Sequence, residues 1–192
     1  PGGVLVGMTA GSDGWPAALD AICAELGTMG VRLGSHDDQN AAMRTEWRDR
    51  GVRISEFPET LEAAEAARAG GDHIILGSPN VVRGGSHKGN VSAVELIAMG
   101  LCDAIASDYH YPSPRRAALM LARSGLLDLA GAWDLVSKGP AEVLGRDDRG
   151  ELAPGKRADV VILEKDSQRV AATLSGGRVS HMSGDNAARF LG

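Results

Sequence analysis

Val31-Arg32-Leu33-Gly34-Ser35-His36-Asp37-Asp38 is the stretch on which the fold turns. A short strand-like run, Val31–Gly34, ends in Ser-His-Asp-Asp, and Gln39–Arg50 then reads as a helix closed by Gly51. The unit recurs downstream. Val52–Glu56 is strand-like and leads into an Ala/Glu-rich helix, Glu59–Ala69, stopped by Gly70-Gly71. His73–Leu76 is the next strand, followed by a long polar loop and a helix over Ala93–Met99, with Ser92 and Glu95 spaced as a capping box. Ala104–Ala106 is another strand, after which Ser113-Pro114 opens a helix that reaches Ser124, with Gly125 just beyond. Upstream, Val4–Met8 and Pro16–Leu26 read as one more strand and helix, and Leu127–Ser137 as a last helix. Short apolar strands alternating with helices predict a parallel α/β sheet or barrel, and four such units are half of an eight-fold barrel.

The pattern changes near Arg149. Pro154-Gly155 has turn chemistry, and Val160–Leu163, Val170–Leu174 and Arg178–Met182 alternate like strands, with Gly176-Gly177 as a hairpin turn. The expected organisation is a barrel portion over 1–145 and a small β-appendage over 146–192. The 192 residues are 43% hydrophobic, enough to bury a core, and the net charge of −5 argues against a general nucleic-acid or anionic-membrane binder. The two cysteines, Cys23 and Cys102, form no CxxC pair and read as reduced core residues of a cytoplasmic protein. No apolar run of about 18 residues and no basic-then-apolar leader is present in the sequence. The chain begins Pro1-Gly2-Gly3 rather than with Met.

In parallel α/β folds functional groups collect just beyond the carboxyl ends of strands. Those positions carry Ser35-His36-Asp37-Asp38, Glu56-Phe57-Pro58, Gly77-Ser78-Pro79-Asn80 and Ser107-Asp108-Tyr109, which together suggest one polar basin. His36, followed by two carboxylates, suits a metal ligand or proton carrier, against the plainer reading of a solvated loop histidine. Asp108 suits a metal ligand and a general base, since Ser113 already serves the following helix as a cap. Glu56 reads equally as a metal ligand or as part of a simple helix start. The loop Asn80–Asn90 joins Arg83, Ser86, His87 and Lys88 to three glycines just before a helix start, a composition suited to phosphate. It lacks the G-x-x-x-x-G-K-[ST] spacing, and it reads otherwise as a flexible surface loop. Tyr109 is expected to line the same pocket.

Together Gly34–Asp38, Ser55–Pro58, Gly77–Asn90 and Ala106–Tyr109 resemble the amidohydrolase superfamily, and within it a branch active in phosphonate catabolism by the carbon–phosphorus lyase pathway. Gly150–Asp159 resembles that superfamily's return to a β-sandwich. The resemblance implies the C-terminal half of a metal-dependent (β/α)8 TIM barrel with a small β-sandwich appendage. It implies a divalent metal, zinc first with manganese or magnesium as alternatives, held by His36, Asp108 and Glu56, with Asp108 accepting the proton of the attacking water. Asn80, Arg83, Ser86, His87, Lys88 and Tyr109 are then expected to hold phosphate. The implied reaction hydrolyses α-D-ribose 1-methylphosphonate 5-triphosphate to the 5-phosphate and pyrophosphate, with this small phosphorylated substrate as the partner. A homodimer is expected on other grounds, since half a barrel exposes two unpaired strand edges that a second copy would cover. Two departures stand out. Glu56 occupies a strand end where the superfamily usually has His, and residues 1–14 lack the His and Lys of its earlier strands. The remaining alternatives are an amidohydrolase acting on a cyclic amide or amine, and a catalytically silent fragment of a longer enzyme.

Overall fold

The computed structural model describes residues 4–5, 15–84 and 91–191. The chain divides into two units, Pro1–Leu144 and Gly145–Gly192.

The first unit is built on five parallel strands in the spatial order β1-β2-β3-β4-β5. These are Val4–Leu5, Leu33–His36, Ile54–Glu56, His73–Gly77 and Ala104–Ala106. Helix α1 (Trp15–Thr28) joins β1 to β2, α2 (Ala41–Asp49) follows β2, and α3 (Leu61–Ala69) follows β3. Local chemistry starts the last two: Asn40 Oδ1 accepts from the Met43 N–H at 2.9 Å and Thr60 Oγ1 accepts from the Ala63 N–H at 3.1 Å.

The expected long loop after β4 is helical in its first part. Helix α4 (Ser78–Arg83) starts flush with the strand end, and Gly84 closes it in a left-handed conformation at φ 72°. Pro79 in the first turn needs no N–H partner, and glycine meets the positive φ without a Cβ penalty. Helix α5 (Ala93–Ala98) follows, and its Ser92 N–H donates to Glu95 at 3.1 Å. Beyond β5 come α6 (Ser113–Arg123), α7 (Leu129–Asp134) and α8 (Lys138–Val143). The expected single helix Leu127–Ser137 is therefore shorter, capped by Asp128 Oδ1 on the Gly131 N–H, and a separate helix follows it. Gly139 in α8 packs against the Asp103 backbone, where a Cβ would fall 1.8 Å from the carbonyl oxygen.

Register puts alternate strand residues on two faces. Ser35, Ser55 and Ile74 are successive partners across β2–β4, as are His36, Glu56 and Ile75. Ile74, Leu76 and Ile105 join a core with Leu96, Ile97, Ala117 and Leu121 of the helices, while Ile54, Ala104 and Ile75 pack with Val143 of α8. Ala63, Ala64 and Ala67 of α3 are fully buried, small enough to let that helix lie close on its neighbours. Leu33, Trp47 and Val52 make a further cluster with Leu19 and Cys23 of α1.

The second unit is an antiparallel meander of β6 (Val160–Leu163), β7 (Val170–Ser175) and β8 (Arg178–Met182), followed by α9 (Gly184–Leu191). Gly176 and Gly177 both have positive φ, 56° and 77°, as a tight hairpin requires. Among the described residues no helix is long and apolar enough to cross a membrane.

Candidate functional site

The carboxyl ends of β2, β3 and β5 share an unusual backbone. Asp37, Phe57 and Asp108, the residues just beyond those ends, have φ of 59°, 55° and 51°. Left-handed conformations are costly for residues other than glycine, least so for Asp, and they concentrate where a side chain must be aimed at a site. Tertiary bonds hold two of these turns: the Asp37 N–H donates to Glu56 O at 3.0 Å and the Phe57 N–H to Ile75 O at 2.9 Å.

His36 is the centre of the resulting arrangement. Its Nδ1 is 3.0 Å from Asp37 Oδ2 and its Nε2 is 4.0 Å from Glu56 Oε2. The Phe57 ring meets the imidazole edge-on, with centroids 5.1 Å apart and planes at 72°. The Asp37 carboxylate thus places negative charge beside Nδ1, which favours a proton there and leaves Nε2 to accept a proton or bind a cation. Burial pushes the Glu56 carboxyl above its usual range; His36 opposes the shift, and the charges of Asp108 and Asp37 add to it. Those interactions put Asp108 within electrostatic reach of the His36–Glu56 pair.

A cleft of about 450 Å³ opens here. His36, Asp37, Asp108 and Tyr109 line it, together with Asn80 and Arg83 of α4. Glu56 is not on its wall. The Arg83 guanidinium carbon lies 5.5 Å from the centroid of the Tyr109 ring, a cation–π contact that orients both side chains on the rim. Behind the cleft, Ser78 Oγ is 2.7 Å from Ala106 O and 2.7 Å from Ser113 Oγ, and Ser113 also bonds His110 O at 2.5 Å. This chain of bonds ties the start of α4 to the Asp108 loop.

Of the residues singled out from sequence, His36, Asn80, Arg83, Asp108 and Tyr109 meet in this cleft, and Glu56 adjoins it through His36. Ser86, His87 and Lys88 lie outside the described residues. For Phe57 and Asp37 the sequence offers a place at the strand ends but no role of their own. Asp37 carried a signal in its readiness for left-handed backbone, whereas a phenylalanine in that conformation has none. The donor chemistry of His36, Glu56 and Asp108 suits a divalent cation, yet among the described residues no group of three or more His, Cys, Asp and Glu is gathered closely enough to hold one. The fit is that of a partial ligand set.

Known proteins resemble both the sequence and the fold. Residues 88–181 match the model of the Amidohydrolase family. The α-D-ribose 1-methylphosphonate 5-triphosphate diphosphatase of Escherichia coli (strain K12) is 42% identical over 153 residues, which are 79% of this chain and 40% of that protein. The chain thus spans well under half the length of the curated relative it matches. Among solved structures, β-aspartyl dipeptidase from Fervidobacterium islandicum AW-1 superposes with a TM-score of 0.73 at 14% identity, covering 94% of this chain and 57% of that one. A zinc-bound adenosine deaminase from Xanthomonas campestris gives 0.62 at 14%, covering 92% and 52%. These two likenesses establish the fold, a partial barrel whose described strands form an open sheet. The family match over residues 88–181, the sequence relative and the fold likeness point the same way, and each is a similarity of part of a protein.

Proposed function

We propose that this chain is the C-terminal half of a metal-dependent hydrolase of phosphonate catabolism. The whole protein would hydrolyse α-D-ribose 1-methylphosphonate 5-triphosphate to the 5-phosphate with release of pyrophosphate. The observation that carries this reading is the meeting, in one cleft, of His36 and Asp108 with a guanidinium, Arg83, in a chain 42% identical to a diphosphatase of that substrate.

His36, Asp108 and Glu56 are assigned to a divalent cation, zinc first and manganese or magnesium next. A cation there supplies Lewis acidity to a phosphoryl oxygen and to the attacking water. The Asp37 carboxylate beside Nδ1 of His36 favours the tautomer protonated there, so that Nε2 is available as a donor. Asp108, exposed at the cleft, accepts the proton of the water at a carboxylate oxygen. Arg83, steadied against Tyr109, pairs with phosphate oxygens, and Asn80 on the same helix donates to them. Ser86, His87 and Lys88 complete the phosphate-binding segment in this reading.

The test starts with zinc content of the purified chain and of its His36→Ala variant. Stoichiometric zinc that disappears in the variant supports the site. Arg83→Ala in the full-length enzyme should then raise KM for the triphosphate far more than it alters bound metal, and unchanged kinetics would remove Arg83 from the reaction. A second reading, a catalytically silent piece, is favoured by the incomplete ligand set among the described residues. Absence of zinc from both proteins would select it.

A further inference from the structure

Directly behind the His36–Glu56 pair, on the other face of the sheet, lies a buried polar group to which the proposed reaction gives no role. Asp38 and Arg44 are both fully excluded from solvent. Asp38 Oδ2 accepts from Ser35 Oγ at 2.7 Å, from Ser55 Oγ at 2.7 Å and from Arg44 Nη1 at 3.0 Å. Arg44 Nη1 also donates to Ser35 Oγ at 2.6 Å, and Nη2 to Val52 O at 2.5 Å.

The register gives this group its meaning. Ser35 and Ser55 are partners across β2 and β3, and each immediately precedes a candidate ligand; His36 and Glu56 are the next pair. One carboxylate oxygen therefore clamps the two strands one residue before their functional ends. The same residue also ties down the connections beyond those ends: Asp38 comes directly after the left-handed Asp37, and its carbonyl accepts the Glu59 N–H of the β3–α3 connection at 2.9 Å. Burying an ion pair usually adds little to stability over apolar packing of the same volume. Directional bonds to one oxygen do fix geometry, which apolar packing does not.

We propose that Asp38 is a positioning residue that sets the placement of His36 against Glu56 and Phe57, so that His36 and Glu56, two members of the proposed ligand set, are held in place before a cation binds. This rests on the reading of His36 and Glu56 as ligands.

The test compares Asp38→Asn and the milder Ser55→Ala with Asp72→Asn, which breaks the other ion pair of the same arginine. Asp72 Oδ2 is 3.3 Å from Arg44 Nε, and Asp72 lies at the opposite ends of the strands. Two quantities are read on the full chain: zinc affinity against a chromophoric chelator, and the metal-free NMR position of the His36 ring proton resonances, which the Phe57 ring shifts. Asp38→Asn should weaken zinc by about 10–100-fold and move the His36 resonances, and Ser55→Ala should do both to a smaller degree. Asp72→Asn should lower the urea midpoint and leave both readouts near wild type. The proposal is overturned if Asp72→Asn matches Asp38→Asn in both, or if Asp38→Asn and Ser55→Ala leave the His36 resonances in place. A wild-type chain that binds no zinc refutes the ligand reading alone, and the metal-free resonances then decide on Asp38. If Asp38→Asn does not fold, Ser55→Ala decides.

Discussion

Charge is handled differently at the two ends of the parallel sheet. At the amino ends, Asp72 is buried among three arginines: Arg48 Nη2 at 2.7 Å, Arg53 Nε at 3.0 Å and Arg44 Nε at 3.3 Å. The last is close enough to pair charge but is not aligned as a hydrogen bond, since Arg44 Nε has no hydrogen-bond partner among the described residues. Asp103 nearby accepts the Ile74 N–H at 2.7 Å and Arg68 Nη2 at 2.8 Å. At the carboxyl ends, His36 and Asp37 keep 40% and 54% of their side-chain surface in solvent, and the backbone is left-handed three times over. One end uses its charges to close the fold. The other leaves His36 and Asp37 accessible, with Asp38 buried behind them, and holds Asp37 and Asp108 in costly conformations, as groups that must meet a ligand require.

If that division is right, substitutions at the amino ends should cost stability and those at the carboxyl ends should cost function. Asp72→Ala is the severest case. It leaves the fully buried Arg44 and its two arginine neighbours without their common carboxylate, and a loss of about 3–5 kcal/mol is expected in urea denaturation. A loss comparable to that of an exposed ion pair would show that the arginines find other partners.

Gly139→Ala comes next. Its new Cβ would fall 1.8 Å from the Asp103 carbonyl oxygen, and backbone there can yield only by moving α8 away from β5. About 1–3 kcal/mol should be lost. Gly27→Ala inside α1, where nothing lies within 4 Å, should instead gain about 0.5–1 kcal/mol. Equal effects of the two changes, by thermal unfolding, would deny the close approach at Gly139.

Much of this layout can be read from the residues alone, for identifiable reasons. The strands after Val31 announce themselves by short apolar runs between glycine-closed helices, so His36, Glu56 and Asp108 fall at strand ends by counting. Helix α4 escapes such reading because Ser78-Pro79 begins it with no gap after β4, and the glycines beyond Arg83 make the whole stretch look like loop. The Asp38–Arg44 group escapes it for another reason. Its bonds join positions that only β2–β3 register brings together, and Arg44 looks from sequence like any exposed helix arginine. The left-handed Phe57 is likewise imposed by the Ile75 carbonyl and not by local preference.

At the carboxyl ends, Asp108→Gly separates the two costs most directly. It removes the carboxylate assigned to the water's proton and relieves a side chain held at φ 51°. Folding stability should hold or rise by up to about 1 kcal/mol, while the proposed pyrophosphate release, assayed in the full-length protein, should fall to background. A large loss of stability would mean that Asp108 belongs with Asp72, among the groups that close the fold.

The smallest expected effect concerns Glu56, and here the sign matters. Burial raises its folded-state pKa above the unfolded value, so the folded chain holds this proton more tightly than the unfolded chain does. Its contribution to stability is therefore fully present below the ordinary carboxylate range and is lost as pH rises through the raised pKa. This is the reverse of a salt-bridged carboxylate. Glu56→Gln cannot ionise and should lack that decline. Urea midpoints of the two proteins, compared on either side of the carboxylate range, should therefore diverge as pH rises, with the variant becoming the more stable. A bound cation would favour the ionised carboxylate and shrink the divergence. Repeating the series with saturating zinc thus asks whether Glu56 is a ligand or only a half-buried acid beside one. Divergence that zinc leaves untouched removes Glu56 from the proposed ligand set and keeps His36 and Asp108.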